Sequence, residues 1–225
     1  MNFNSIARER SVIFIVLLLA IAAIALSGAG QFALASDKSP IKIVVLGDSL
    51  VAGYGLAPGK GFPEQLAVVL KANHDKIEII NAGVSGDTSS GGLARLDWSV
   101  PDKIDAVILE LGANDALRGV PPELTGKNLE NMITRLRERN IEVLLVGMKA
   151  PPNMGKPYED AFNAIYPDLA EKYKLVFYPF FLDGVIANPK LNQADAMHPT
   201  AEGIGVIVNR FLPTMEELLS RLSER

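Results

Sequence analysis

IKIVVLGDSLVAGYG, residues 41–55, decides the fold. Its first seven residues, IKIVVLG, form a near-continuous apolar run that ends in glycine. A strand buried on both faces reads this way. The continuation, GDSLVAGYG (47–55), is rich in glycine and sets an acid, Asp48, beside a serine, Ser49, where the strand should end. Three readings compete for it: a phosphate-cradling loop, a plain turn, and a nucleophile on display.

Outward from this stretch the chain alternates. Residues 62–73 carry apolar side chains at helical spacing, with Pro63 suited to a first helical turn. KIEIINAG (76–83) predicts a second strand. SSGGLARLDW predicts a short helix weakened by glycine. DAVILELGAND (105–115) predicts a third strand with a polar exit. A long helix is expected over 121–140, and a fourth strand over 141–148. A helix over 158–174, a fifth strand over 175–180 and a closing helix over 199–222 complete the pattern. Strands alternating with helices imply a parallel sheet covered on both faces. The expectation is therefore a single three-layer α/β/α domain. Its five-stranded parallel sheet should have flavodoxin-like strand order. Ligands of such sheets sit at the carboxyl ends of the strands. The polar exits GDS, NAGVSGDTS, GAND and KAPPN, together with QADAMHPT before the last helix, all belong to that edge. Each alone is ordinary turn chemistry; together they read as a site.

The phosphate-loop reading fails. A dinucleotide fingerprint needs G-x-G-x-x-G, which Gly47, Gly53 and Gly55 do not fit. A P-loop needs G-x-x-x-x-G-K-[ST]. The nearest match, Gly55 to Lys60, is one residue short and is followed by Gly61. No H-E-x-x-H is present, and the two histidines, His74 and His198, are far apart. Carboxylates are plentiful enough for a magnesium site, but nothing demands one.

Bulk properties narrow the function further. The 225 residues are 48% hydrophobic and 21% charged, enough for one sizeable core. The absence of cysteine excludes disulfides, thiolate nucleophiles and cysteine-ligated zinc. Arg8 and Arg10 precede the apolar run VIFIVLLLAIAAIAL (12–26), and Ala33-Leu34-Ala35 gives a small-residue exit before Ser36. Residues 1–35 thus read as a secretory signal peptide, and 36–225 as the domain. The alternative is an uncleaved anchor, although the apolar run is shorter than the roughly 20 residues of a spanning helix. Export to the periplasm or the extracellular space is expected. Residues 36–225 retain 20 basic and 25 acidic side chains, a net charge of −5. With no basic tract left, nucleic acid is not an expected partner.

The nucleophile reading asks for a base. His74, in LKANHDK, reads as a solvated residue at a helix end. His198 lies three residues after Asp195, and a carboxylate near an imidazole can fix its tautomer. The same D-A-M-H-P also reads as a helix start, with Pro199 in the first turn or Thr200 as cap. Gly86 would offer an open N–H, and Asn114 a side-chain NH₂, to a developing oxyanion. Asn114 can equally be a turn residue bonded to its own backbone. The α/β-hydrolase elbow G-x-S-x-G is absent.

GDSL (47–50), GVSGDT (83–88), GAND (112–115) and DAMH (195–198), in this order, resemble the four blocks of the SGNH (GDSL) hydrolase family. Within it the similarity is to the group of periplasmic arylesterases, acyl-CoA thioesterases I and lysophospholipases L1, across nearly all of residues 41–215. The resemblance implies Ser49 as nucleophile, His198 as base and Asp195 as its orienting acid. The oxyanion hole would be Gly86, Asn114 and the Ser49 amide, and Asp48 would brace the turn. The resemblance implies no metal or organic cofactor, and a reaction that is hydrolysis through an acyl-enzyme. Substrates would be acyl or aryl esters, acyl thioesters or lysophospholipids, the last implying transient contact with membrane lipid. A carbohydrate O-deacetylase of the same fold and a non-catalytic lipid- or anion-binding module are the competing functions. Leu117, Met154 and Tyr158, with Met148 and Phe162, are candidates for the substrate pocket and equally for the core.

Overall fold

The computed structural model describes residues 39–74 and 76–225. The signal-peptide reading of residues 1–35, with its exit at Ala35, lies outside the described residues.

Five parallel strands form one sheet: β1 (Ile41–Gly47), β2 (Ile77–Gly83), β3 (Ala106–Glu110), β4 (Glu142–Val146) and β5 (Val176–Tyr178). Their order, β2-β1-β3-β4-β5, is the flavodoxin-like order expected from the alternation. Strand β1 is an inner strand, between β2 and β3, and its side chains Ile43 to Leu46 are fully buried. All five residues of β3 are buried as well, including Glu110.

The longer helices are α2 (Phe62–Lys71), α6 (Pro122–Glu138), α7 (Lys156–Tyr173) and α8 (Ala201–Ser223). Shorter ones are α1 (Ser49–Ala52), α3 (Ser89–Ala94), α4 (Leu96–Ser99) and α5 (Ala113–Leu117). Helix α2 packs against α8, and α6 packs against both α3 and α7. The apolar stripes of these helices supply Leu66, Leu70, Met132, Leu136, Ile207 and Phe211 to the core. Among the described residues, no helix is long and apolar enough to cross a membrane.

Long elements match the sequence pattern to within a few residues, and the departures fall at the carboxyl edge. The expected third strand, 105–115, stops at Glu110, and its exit GAND opens helix α5. Gly112 makes this break, with φ at +120°. A Cβ there would lie 2.1 Å from the Tyr166 hydroxyl, which donates to the Leu111 carbonyl (2.9 Å). GDS likewise ends in no plain turn: Ser49 begins α1. The SSGGLARLDW stretch divides into α3 and α4 at Arg95.

In this strand order the topological switch point lies between β1 and β3, where an α/β sheet opens a crevice. The carboxyl ends of those two strands carry Ser49 and Asn114.

Candidate active site

Helix α1 has only four residues, so its start must be held by its cap. Asp48 is that cap: its Oδ1 accepts the Leu50 N–H (3.0 Å), and its carbonyl accepts the Ala52 N–H (2.9 Å). Gly53, in the left-handed region at φ 76°, closes the helix. Gly47 is required by proximity. A Cβ there would lie 2.3 Å from Val51 Cγ2 and 2.5 Å from Glu110 Oε2. The turn thus brings Ser49 out of the strand as the first residue of a helix.

Ser49 Oγ lies 2.8 Å from His198 Nε2. His198 Nδ1 lies 2.7 Å from Asp195 Oδ2. The other carboxylate oxygen, Asp195 Oδ1, accepts the N–H groups of Met197 and His198, both at 3.0 Å. These backbone donors, and then the imidazole, hold the Asp195 carboxyl down at about 2. An ionised Asp195 takes Nδ1–H and leaves Nε2 to accept from the serine hydroxyl. The turn needs Ala196 at φ +58° and is tied to the N-terminal loop by Gln193. The Gln193 side chain donates to the carbonyls of Tyr54 (2.8 Å) and Pro199 (3.0 Å), and its N–H to the His198 carbonyl (2.7 Å). The Tyr54 ring lies against the imidazole, centroids 4.6 Å apart.

Asn114 reaches the same place from β3. Its Nδ2 donates to Asp48 Oδ2 at 3.0 Å. Asp48 is fully buried, and burial pushes its carboxyl up to about 6, against the opposing effect of its hydrogen bonds. Beneath it, Glu110 Oε2 accepts the Asp48 N–H at 3.3 Å, while Glu110 Oε1 has no hydrogen-bond partner among the described residues. Burial, and then the nearby Asp48 charge, raise the Glu110 carboxyl well above its ordinary range. The next residue after Asn114, Asp115, anchors α5: it accepts the Ser89 N–H (2.8 Å) and the hydroxyls of Ser89 and Thr125. At the far end of α5, Arg118 donates to the Gly86 carbonyl (2.8 Å).

These residues open onto one cleft of about 650 Å³, lined by Ser49, Gly86, Asn114 and His198 together with a mostly apolar wall. Leu117 and Met148 belong to that wall. Met154 and Tyr158 do not line it. The Tyr158 hydroxyl is spent on the Val120 carbonyl (2.8 Å), and its ring stacks on the buried Phe162. Met154 Cε instead lies 3.4 Å from where a Cβ on Gly119 would be. His74 lies elsewhere, with Nε2 3.1 Å from Glu216 Oε1.

Sequence reasoning missed the wall supplied by Phe180, Leu182 and Ile186. The signal was available. FFLDGVIANPK (180–190) follows the fifth strand at the same sheet edge, and its Ile186 is 58% exposed.

The chain matches the model of the GDSL-like lipase/acylhydrolase family over residues 45–204. It is 41% identical to an arylesterase of Vibrio mimicus over 75% of this chain and 84% of that protein. It is 34% identical to thioesterase 1/protease 1/lysophospholipase L1 of Escherichia coli K12, over 98% of both chains. Among solved structures, it resembles the psychrotrophic esterase EstA from Pseudoalteromonas sp., inhibited by monoethylphosphonate. That likeness has a TM-score of 0.75 and 31% identity, over 80% of this chain and 98% of the other. Fold, site geometry and sequence agree: the chain belongs to the GDSL-like lipase/acylhydrolase family.

Proposed function

We propose that this protein is a serine carboxylic ester hydrolase acting on acyl or aryl esters, acyl thioesters or lysophospholipids through an acyl-enzyme on Ser49. One observation carries the reading: an unbroken hydrogen-bonded line from Asp195 to His198 (2.7 Å) to Ser49 (2.8 Å) ends in an apolar cleft beside Asn114.

Chemistry follows from this line. As Ser49 Oγ attacks the carbonyl carbon, His198 Nε2 takes its proton, and Asp195 stabilises the imidazolium without becoming protonated. The carbonyl electron pair moves onto oxygen. The N–H groups of Ser49 and Gly86 and the Nδ2 of Asn114 are the donors proposed for it. Collapse expels the alcohol or thiol, which receives the proton from His198. Water, activated by the same imidazole, then hydrolyses the acyl-enzyme and frees Ser49.

The arylesterase and thioesterase 1/protease 1/lysophospholipase L1 relatives support the range of ester and thioester leaving groups. The apolar lining favours acyl or aryl groups over a sugar. Export rests on the leader-like pattern of residues 1–35.

Two measurements test the reading. Ser49→Ala should abolish hydrolysis of p-nitrophenyl butyrate with an unchanged circular dichroism spectrum. A fluorophosphonate probe should form one adduct, on the peptide containing Ser49. Turnover retained by the variant sinks Ser49 as the nucleophile, and folded protein that takes up no probe favours a binding module.

A further inference from the structure

We propose that Asp48 is the positioning residue of the oxyanion hole: its carboxylate decides which atom of the Asn114 amide faces the reacting carbonyl. The inference rests on Asn114 acting as an oxyanion donor.

A primary amide is nearly symmetrical in shape and opposite in chemistry at its two ends. Nothing steric stops Asn114 from presenting Oδ1 to the cleft, which would repel a developing oxyanion. What selects Nδ2 is an acceptor that offers no hydrogen, and the ionised Asp48 carboxylate is one. Its Oδ2 takes one Nδ2 hydrogen at 3.0 Å. The second hydrogen stays available to the cleft that Asn114 lines. The carboxylate cannot swing away, because Oδ1 is held by the Leu50 N–H and the Asp48 N–H is held by Glu110. One buried group therefore registers the helix that begins with the nucleophile against a donor from another strand.

Capping alone does not call for this residue. Serine or asparagine caps a helix about as well as aspartate, without a charge in a fully buried position that also faces the carboxylates of Glu110 and Asp87. The resistance of the site to that charge, visible in the raised Asp48 carboxyl, is consistent with a group kept for something other than stability.

Asp48→Asn separates the two roles. Its Oδ1 can still accept the Leu50 N–H, so the cap survives. Its NH₂ then faces Asn114, which must turn Oδ1 toward it and withdraw Nδ2 from its place. With p-nitrophenyl butyrate, kcat should fall about 10- to 100-fold and KM stay within about twofold, since the lost interaction forms only in the transition state. Combined with Asn114→Ala, the effects should not multiply: the double variant should be no more than about twofold slower than Asn114→Ala alone. An Asp48→Asn kcat within about threefold of the parent overturns the proposal, and so do effects that multiply. If Asn114→Ala itself costs less than about tenfold, the oxyanion reading of Asn114 fails and takes the proposal with it. A measurement on the unaltered protein guards against an Asp48 variant that does not fold. With ¹⁵N-asparagine labelling, the side-chain pair that disappears in Asn114→Ala should show one proton shifted downfield and slow to exchange. A freely exchanging pair overturns the proposal.

Discussion

Asp48 and Asp195 are the same amino acid pushed in opposite directions. Asp195 sits in a turn where two N–H groups and an imidazole converge on it, so its ionised form is favoured and its carboxyl falls to about 2. Asp48 is enclosed by the core, so its ionised form is disfavoured and its carboxyl rises to about 6. The linkage signs are opposite. Asp195 contributes stability above its ordinary value of 3.8, which is lost as pH falls through about 2. Asp48 behaves inversely: stability is full below 3.8 and is lost as pH rises through about 6. Thermal melts between pH 3 and 8 should separate the two. The margin of the parent over Asp195→Asn should be constant above pH 5 and shrink toward pH 3. The margin of Asp48→Asn over the parent should grow from pH 4 to pH 7 and then level off. A pH-independent difference for either pair would refute the corresponding shift.

The two helices that carry the candidate site, α1 and α5, have four and five residues. Helices this short do not hold themselves together, because nucleation is too costly; tertiary hydrogen bonds hold them. For α5 those bonds form a buried cluster, with Asp115 accepting from Ser89 and Thr125, and Asn128 donating to Ser89 Oγ at 3.0 Å and to Ser90 Oγ at 2.8 Å. Ser89→Ala should therefore destabilise the protein by about 1–3 kcal/mol in urea unfolding, because it strips a donor from a buried carboxylate. A loss under 0.5 kcal/mol would mean that water replaces it. The same shortness explains what could be read in advance. Strands β1 and β3 announce themselves as apolar runs, and α2, α6, α7 and α8 as periodic segments. Four or five residues show no period, so GDS and GAND gave no sign of helices, and Asn114 read equally as a turn residue and as an oxyanion donor. That Ser49, His198 and Asp195 meet was legible because GDSL sits at a strand exit and DAMH just before the last helix, both at the carboxyl edge. Met154 and Tyr158 were misplaced because the facing of a side chain near α7 depends on how that helix packs. Tyr158 lies along the Phe162 and Tyr166 side, against the core rather than the cleft.

At the scale of the molecule, the sheet gathers residues separated by up to 149 positions onto one edge. Strand β1 brings Ser49, β3 brings Asn114, and the segment before α8 brings His198. Beyond β4 and β5, the loops supply Met148, Phe180 and Leu182 rather than chemistry. The cleft is thus divided by strand order: Ser49, Asn114 and His198 at the β1–β3 switch point and much of the apolar wall toward the β5 edge. That division predicts that selectivity and turnover can be altered separately. Leu182, partly buried and packed against the core, is a wall position outside the hydrogen-bonded line. Leu182→Trp should narrow the wall for long acyl chains and leave short ones alone. Each displaced methylene is worth on the order of 1–3 kcal/mol. Accordingly, kcat/KM for p-nitrophenyl octanoate should drop at least about tenfold while that for the acetate stays within about threefold. An equal loss for both esters would place the wall against the aryl leaving group instead, and no loss for either would move the acyl chain to the Leu117 side of the cleft.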